Sequence, residues 1–125
     1  MKKIISFSLW GDDPKYVDGA IENVKIAKTL FSKWRCRFYV HKDVDPKAIL
    51  QLNSEGAEVI IVGDPISTGM LWRFRVLSDK SIDRVMVRDT DGRLSLREVN
   101  CVADWVRSKQ EFHIVRDNIM HGTKI

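Results

Sequence analysis

The sequence predicts an α/β layered domain, with a mainly parallel central sheet flanked by helices. Three observations carry that expectation. Short apolar runs alternate with longer segments of helical period, the arrangement that builds strand–helix–strand units. Asp-Pro pairs, at Asp13-Pro14 and Asp45-Pro46, open two of the helical segments with a cap and a pre-set first turn. A composition of 44% hydrophobic and 30% charged residues over 125 positions describes one globular domain, 1–125, and excludes a disordered or fibrous chain. A chain of this length can hold a core without metal or disulfide staples.

Lys3 to Leu9 reads as a buried first strand. The basic opening has the look of a signal peptide, but Ser6 and Ser8 break the apolar stretch, and Gly11-Asp12-Asp13 follows where small cleavage-site residues belong. From Pro14 to about Phe31, Val17, Ala20, Ile21, Val24, Ala27, Leu30 and Phe31 recur on one helix face. Trp34 to Val40 alternates as a strand, with Cys36, Phe38 and Val40 on one side and Arg35 and Arg37 on the other. A short helix follows Pro46 to about Glu55, and Gly56 ends it. Ala57 to Val62 is nearly continuous in apolar residues, which predicts a strand covered on both faces. Gly63-Asp64-Pro65 turns the chain, Met70 to Leu77 reads as helical, and Val85-Met86-Val87 as a second buried strand of this kind. Ser95-Leu96-Arg97-Glu98 is a capping box opening a helix to about Ser108, and Glu111 to Arg116 reads as a final strand before an irregular tail.

No apolar run approaches the roughly 18–20 residues needed to cross a bilayer. Cys36 and Cys101 stand far apart, without Cys or His at metal-finger spacing, and read as reduced thiols of a cytoplasmic protein. The net charge of +4 suits phosphate-bearing ligands, from nucleotides to nucleic acid, and selects none of them.

The sharpest feature is Val85-Met86-Val87-Arg88-Asp89-Thr90-Asp91-Gly92-Arg93. An apolar strand ends in two aspartates at i and i+2, whose side chains point the same way on extended backbone. Together they offer hard oxygen ligands to Mg²⁺ or Mn²⁺, leaving positions for water and phosphate. Gly92 is expected to let the backbone turn away, while Arg88 and Arg93 add positive charge. A second Asp-x-Asp, Asp43-Val44-Asp45, serves as an internal control: there Asp45 is explained as the cap before Pro46.

Beyond this motif, Ile5-Ser-Phe-Ser-Leu-Trp-Gly11, Trp72-Arg73-Phe74, Arg97-Glu98, Trp105 and Phe112-His-Ile-Val-Arg-Asp117 follow in order. The whole set resembles glycosyltransferases of the GT-A type, which bind a nucleotide-sugar through a divalent metal held by Asp-x-Asp. The chain departs from that pattern at Gly92, where Ser is expected, and at Asn118, where His is expected. The resemblance implies a Rossmann-like GT-A core and a UDP-sugar donor. It also implies that Phe7, Ser8 and Trp10 line the base and ribose pocket, with Asp64 accepting from the base or ribose. Arg73 then reaches the diphosphate, and Arg88, Asp89 and Thr90 complete the donor site. Asp89, Asp91 and His121 would hold Mn²⁺ or Mg²⁺, and Asp117 is the candidate base for an unknown acceptor. Of the other histidines, His113 is expected as a strand partner and His41 as exposed. The short sheet implies a homodimer that covers exposed apolar surface.

Three other readings compete. One is a non-catalytic nucleotide-sugar-binding remnant. Another is an RNA-binding domain built on Arg35, Arg37, Arg73 and Arg75. The third is a haloacid-dehalogenase-like phosphatase, against which stand Arg93 after the motif and the lack of a further acidic pair downstream.

Overall fold

The computed structural model describes residues 2–108, and its contacts divide between Leu94 and Ser95 into two units. In the first, four strands form one sheet: β1 (Lys3–Leu9), β2 (Arg35–His41), β3 (Glu58–Val62) and β4 (Arg84–Val87). The order is β3-β2-β1-β4 and every pairing is parallel. Helices α1 (Pro14–Leu30) and α2 (Pro46–Ser54) connect the first three strands. Between β3 and β4 lie α3 (Gly69–Trp72) and a 3-10 segment, Arg73–Ser78, together spanning the helix expected there. The second unit includes α4 (Leu96–Ser108), the helix that the capping box anticipates. This is an α/β fold with an all-parallel central sheet, compatible with a Rossmann-like core. No helix of the described residues is long and apolar enough to cross a membrane.

Local signals explain the elements well. The side chains of Asp13 and Asp45 accept the amides of Lys15 and Lys47, each at 2.9 Å, and Pro follows each cap. Gly56, at φ +97°, lets the chain leave α2 in the left-handed region. The second Asp-x-Asp is therefore structural, as expected of Asp45.

The core gathers Ile4, Ile5, Phe7 and Leu9 of β1 with Phe38 and Val40 of β2, Leu52 of α2, and Val76. Cys36 is buried among them, and burial pushes its thiol up to about 12, so at neutral pH it is an inert, protonated side chain.

The expectation that β3 and β4 are buried strands is corrected by their exposure. Among the described residues the apolar run of β3 is an edge strand, not one covered on both faces: Ile60 and Ile61 are exposed. Among the same residues β4 forms the opposite edge, and it is only half-buried. Arg37, which alternation places with Arg35 on the side of β2 away from Cys36, Phe38 and Val40, is buried, because Glu58 Oε2 accepts its Nε at 2.8 Å and Asp79 Oδ2 its Nη2 at 3.2 Å. Burial disfavours the charge, but the bonds to Tyr39, Glu58 and Asp79 outweigh this and raise its pKa above the ordinary value.

Asp79 also accepts the Ser81 hydroxyl at 2.6 Å and amide at 3.0 Å. These bonds, with Arg37 after them, hold its carboxyl down at about 2. A carboxyl lowered on folding stabilises the fold above its unfolded value of about 4, and that contribution is lost as pH falls toward 2. Asp79→Asn should therefore flatten the fall of the urea midpoint between about pH 4 and 2. An unchanged slope would show that Asp79 gains nothing from its partners.

Candidate functional site

In a sheet of order 3-2-1-4, the connections diverge between β1 and β4, and ligands collect beyond the carboxyl ends of strands flanking such a point. A cavity of about 250 Å³ lies there. Ser8 and Trp10 reach it from the end of β1, and Tyr16 from the first turn of α1. Met70 and Arg73 contribute from α3 and the segment after it, and Asp89, Thr90 and Asp91 from the chain leaving β4.

Arg73 is fixed from both sides of its backbone. The Ser6 hydroxyl donates to its carbonyl at 2.7 Å, and the Ser8 hydroxyl accepts its amide at 2.9 Å. Ser6 and Ser8 share one face of β1 because strand side chains alternate. The Arg73 side chain, 14% exposed, donates through Nη1 to the Asp89 carboxylate and to the Arg88 carbonyl. Its Nε is buried with no hydrogen-bond partner among the described residues.

The acidic segment is held against one face of α1. Asn23, fully buried, donates to the Gly92 carbonyl at 2.8 Å and accepts the Leu94 amide at 2.9 Å. One turn earlier, Gly19 passes so close to the Thr90 carbonyl that a Cβ would overlap it, and that Cβ would stand 2.8 Å from Arg93 Nη1. Glu22 accepts the Arg93 guanidinium, which also donates to the Thr90 and Asp91 carbonyls, at 3.4 Å each. Positions 19, 22 and 23 lie three and four apart, on one face of the helix. On the other wall, Trp10 lays its six-membered ring over Gly69, where a Cβ would be 2.6–2.9 Å from three ring atoms, and meets Trp72 edge-on at 6.0 Å.

The cavity thus brings together Ser8, Trp10, Arg73, Asp89, Thr90 and Asp91 of the expected residues. Phe7 is elsewhere: it is fully buried and stacked on Phe38 at 4.6 Å, on the face of β1 opposite Ser8. Asp64 does not line the cavity; it pairs with Arg75 at 2.5 Å. Arg88 does not line it either: it is half-buried, and its Nη2 would stand 3.4 Å from a Cβ at Gly92. His41, expected as exposed, is buried and stacked on Trp72 at 5.8 Å. Gly92 does not take positive φ, so the turn does not need it; the glycine this segment requires is Gly19. Asp117, His113 and His121 lie outside the described residues. The four arginines weighed for RNA binding form no common stripe, since Arg37 is buried, Arg73 faces the cavity and Arg75 is engaged by Asp64.

Among the described residues, no three acidic, His or Cys side chains gather as a self-sufficient metal site. Two carboxylates on one cavity do fit a hard cation that takes its other ligands from water and phosphate, as Mg²⁺ and Mn²⁺ do. Asp91 is exposed and its carboxylate accepts no hydrogen bond among the described residues, so it is available for this; Asp89 is shared with Arg73. No protein-family model matches the chain, and a search of curated proteins finds no match either.

Proposed function

We propose that this cavity binds the diphosphate of a nucleotide-sugar, in the manner of the GT-A type, and that the chain transfers or hydrolyses the sugar. The supporting observation is the meeting of Asp89, Asp91, Arg73 and Trp10 in one cavity at the point where the β1 and β4 connections diverge. Arg73 is the group for phosphate oxygens, because its planar guanidinium offers paired donors. Ser8 keeps its own proton to donate into the cavity, since its oxygen already accepts the Arg73 amide. Trp10 and Tyr16 offer aromatic surface for a base and ribose. Asp89 and Asp91 would hold a divalent cation, whose charge favours departure of the diphosphate as the sugar–phosphate bond breaks. Asp117 would take the acceptor proton if the reaction inverts.

The test is a thermal-shift panel of nucleoside diphosphates and nucleotide-sugars, with and without Mn²⁺. A ligand at about 100 times its Kd adds roughly 2.7 kcal/mol, a melting shift on the order of 10 °C for a domain of this size. Uridine species should shift the melting point only with Mn²⁺ present. No shift with any of them would overturn the proposal, and a salt-sensitive, Mn²⁺-independent response to RNA would favour the nucleic-acid reading.

A further inference from the structure

We infer that Arg73 occupies the cation's place on Asp89 in the unliganded protein, and that diphosphate and cation bind together by exchanging partners with this pair. The inference rests on the proposed diphosphate site and adds how that site is kept balanced without ligand. The Arg73 guanidinium donates to Asp89, the carboxylate that a cation would need. Among the described residues it is the one side chain that donates to either of the two aspartates facing the cavity. The Arg73 guanidinium stands against the Asp89 carboxylate and so competes with any metal for the same oxygens.

Arg73 is suited to leave. Its backbone is anchored by the Ser6 and Ser8 hydroxyls, so the side chain can change partners, giving up Asp89 and the Arg88 carbonyl, while its main chain stays in place. Its buried Nε has no acceptor among the described residues, which leaves a donor unsatisfied in the present arrangement. A diphosphate supplies acceptors for that Nε and for the Nη groups together. Drawing Arg73 onto phosphate frees Asp89 for the cation, and the cation in turn removes the acid that holds Arg73. Each ligand therefore raises affinity for the other through the pair, in addition to any direct contact between them. The cation alone meets an occupied Asp89, and the diphosphate alone meets an arginine already paired.

The test uses Mn²⁺ alone and inorganic pyrophosphate alone, followed by calorimetry and by the Mn²⁺ magnetic-resonance signal, on the wild type, Arg73→Gln and Asp89→Asn. Removing a competing, partly buried ion pair should tighten Mn²⁺ binding by Arg73→Gln roughly three- to tenfold, while its pyrophosphate affinity falls. Asp89→Asn should show the mirror image, with pyrophosphate bound more tightly in the absence of metal and Mn²⁺ lost. The factor by which pyrophosphate tightens Mn²⁺ should be smaller in Arg73→Gln than in the wild type. Unchanged or weaker Mn²⁺ binding by Arg73→Gln, with cooperative melting showing that the variant is folded, overturns the exchange. If that occurs while wild type still binds Mn²⁺ and pyrophosphate together, only the exchange fails; if wild type binds neither, the diphosphate site fails with it.

Discussion

Placing alanine at Gly19 is expected to displace the loop that carries Asp89 and Asp91, and with it to abolish cooperative binding of cation and diphosphate. The added Cβ would overlap the Thr90 carbonyl, a backbone atom that no rotamer change can move aside. Alanine favours an isolated helix over glycine by up to about 1 kcal/mol, but overpacking a close contact costs about 1–3 kcal/mol, so the net effect is destabilising. The functional effect should be larger than the thermal one. Asn23 and Glu22 grip the same segment at Gly92, Leu94 and Arg93, so a push at Thr90 rotates the acidic side chains about those fixed points. We expect a fall of at least tenfold in Mn²⁺-dependent pyrophosphate affinity, since roughly 1.4 kcal/mol of misplacement suffices for that. Gly63→Ala is the matched control, because the nearest atom to its Cβ would be a Lys42 side-chain carbon at 4.0 Å. Equal binding by the two alanine variants would show that the close passage of α1 does not position the site.

The helix and strand boundaries that depend on neighbours in sequence are legible in the sequence itself: β1, the Asp-Pro starts of α1 and α2, and the Gly56 exit follow from caps and periodicity. What a run of apolar residues does not encode is its place in the sheet. Val59 to Val62 reads the same in a central or an edge strand, and only the pairing order makes it an edge. The burial of Arg37 was hidden for a similar reason, as its partners Glu58 and Asp79 lie 21 and 42 positions away. Phe7 is different. It adjoins Ser8 on a strand, so alternation alone excludes it from the cavity that Ser8 lines. Asp89 and Asp91 do share the cavity, though through a coil and turn after β4 and not on the extended backbone expected. The residues that hold them, Gly19, Glu22 and Asn23, carried no chemical signature, and their contacts span about seventy positions. Tyr16 and Met70 line the cavity without a chemical signature either; only the position of Tyr16, in the first turn of the helix after β1, points to it.

Asp91→Asn separates a functional carboxylate from a structural one. The side chain is exposed and accepts no hydrogen bond among the described residues; only its carbonyl is used, by Arg93 at 3.4 Å. Surface substitutions of this kind leave stability within about 0.5 kcal/mol, so the unliganded melting point should hold. The amide keeps the size and one oxygen acceptor but lacks the charge that a hard cation requires of its ligand. Mn²⁺ affinity in the presence of pyrophosphate should fall at least about 100-fold, beyond the 10–100-fold typical of losing a mere outer-shell partner. Asp89→Asn shares this loss but also breaks the pair with Arg73, so its unliganded melting point is free to move. The two variants thus predict one metal phenotype and two stability phenotypes. Retained Mn²⁺ dependence in Asp91→Asn would remove the second ligand, and with it the physical reason for reading Asp89 and Asp91 as a cation clasp.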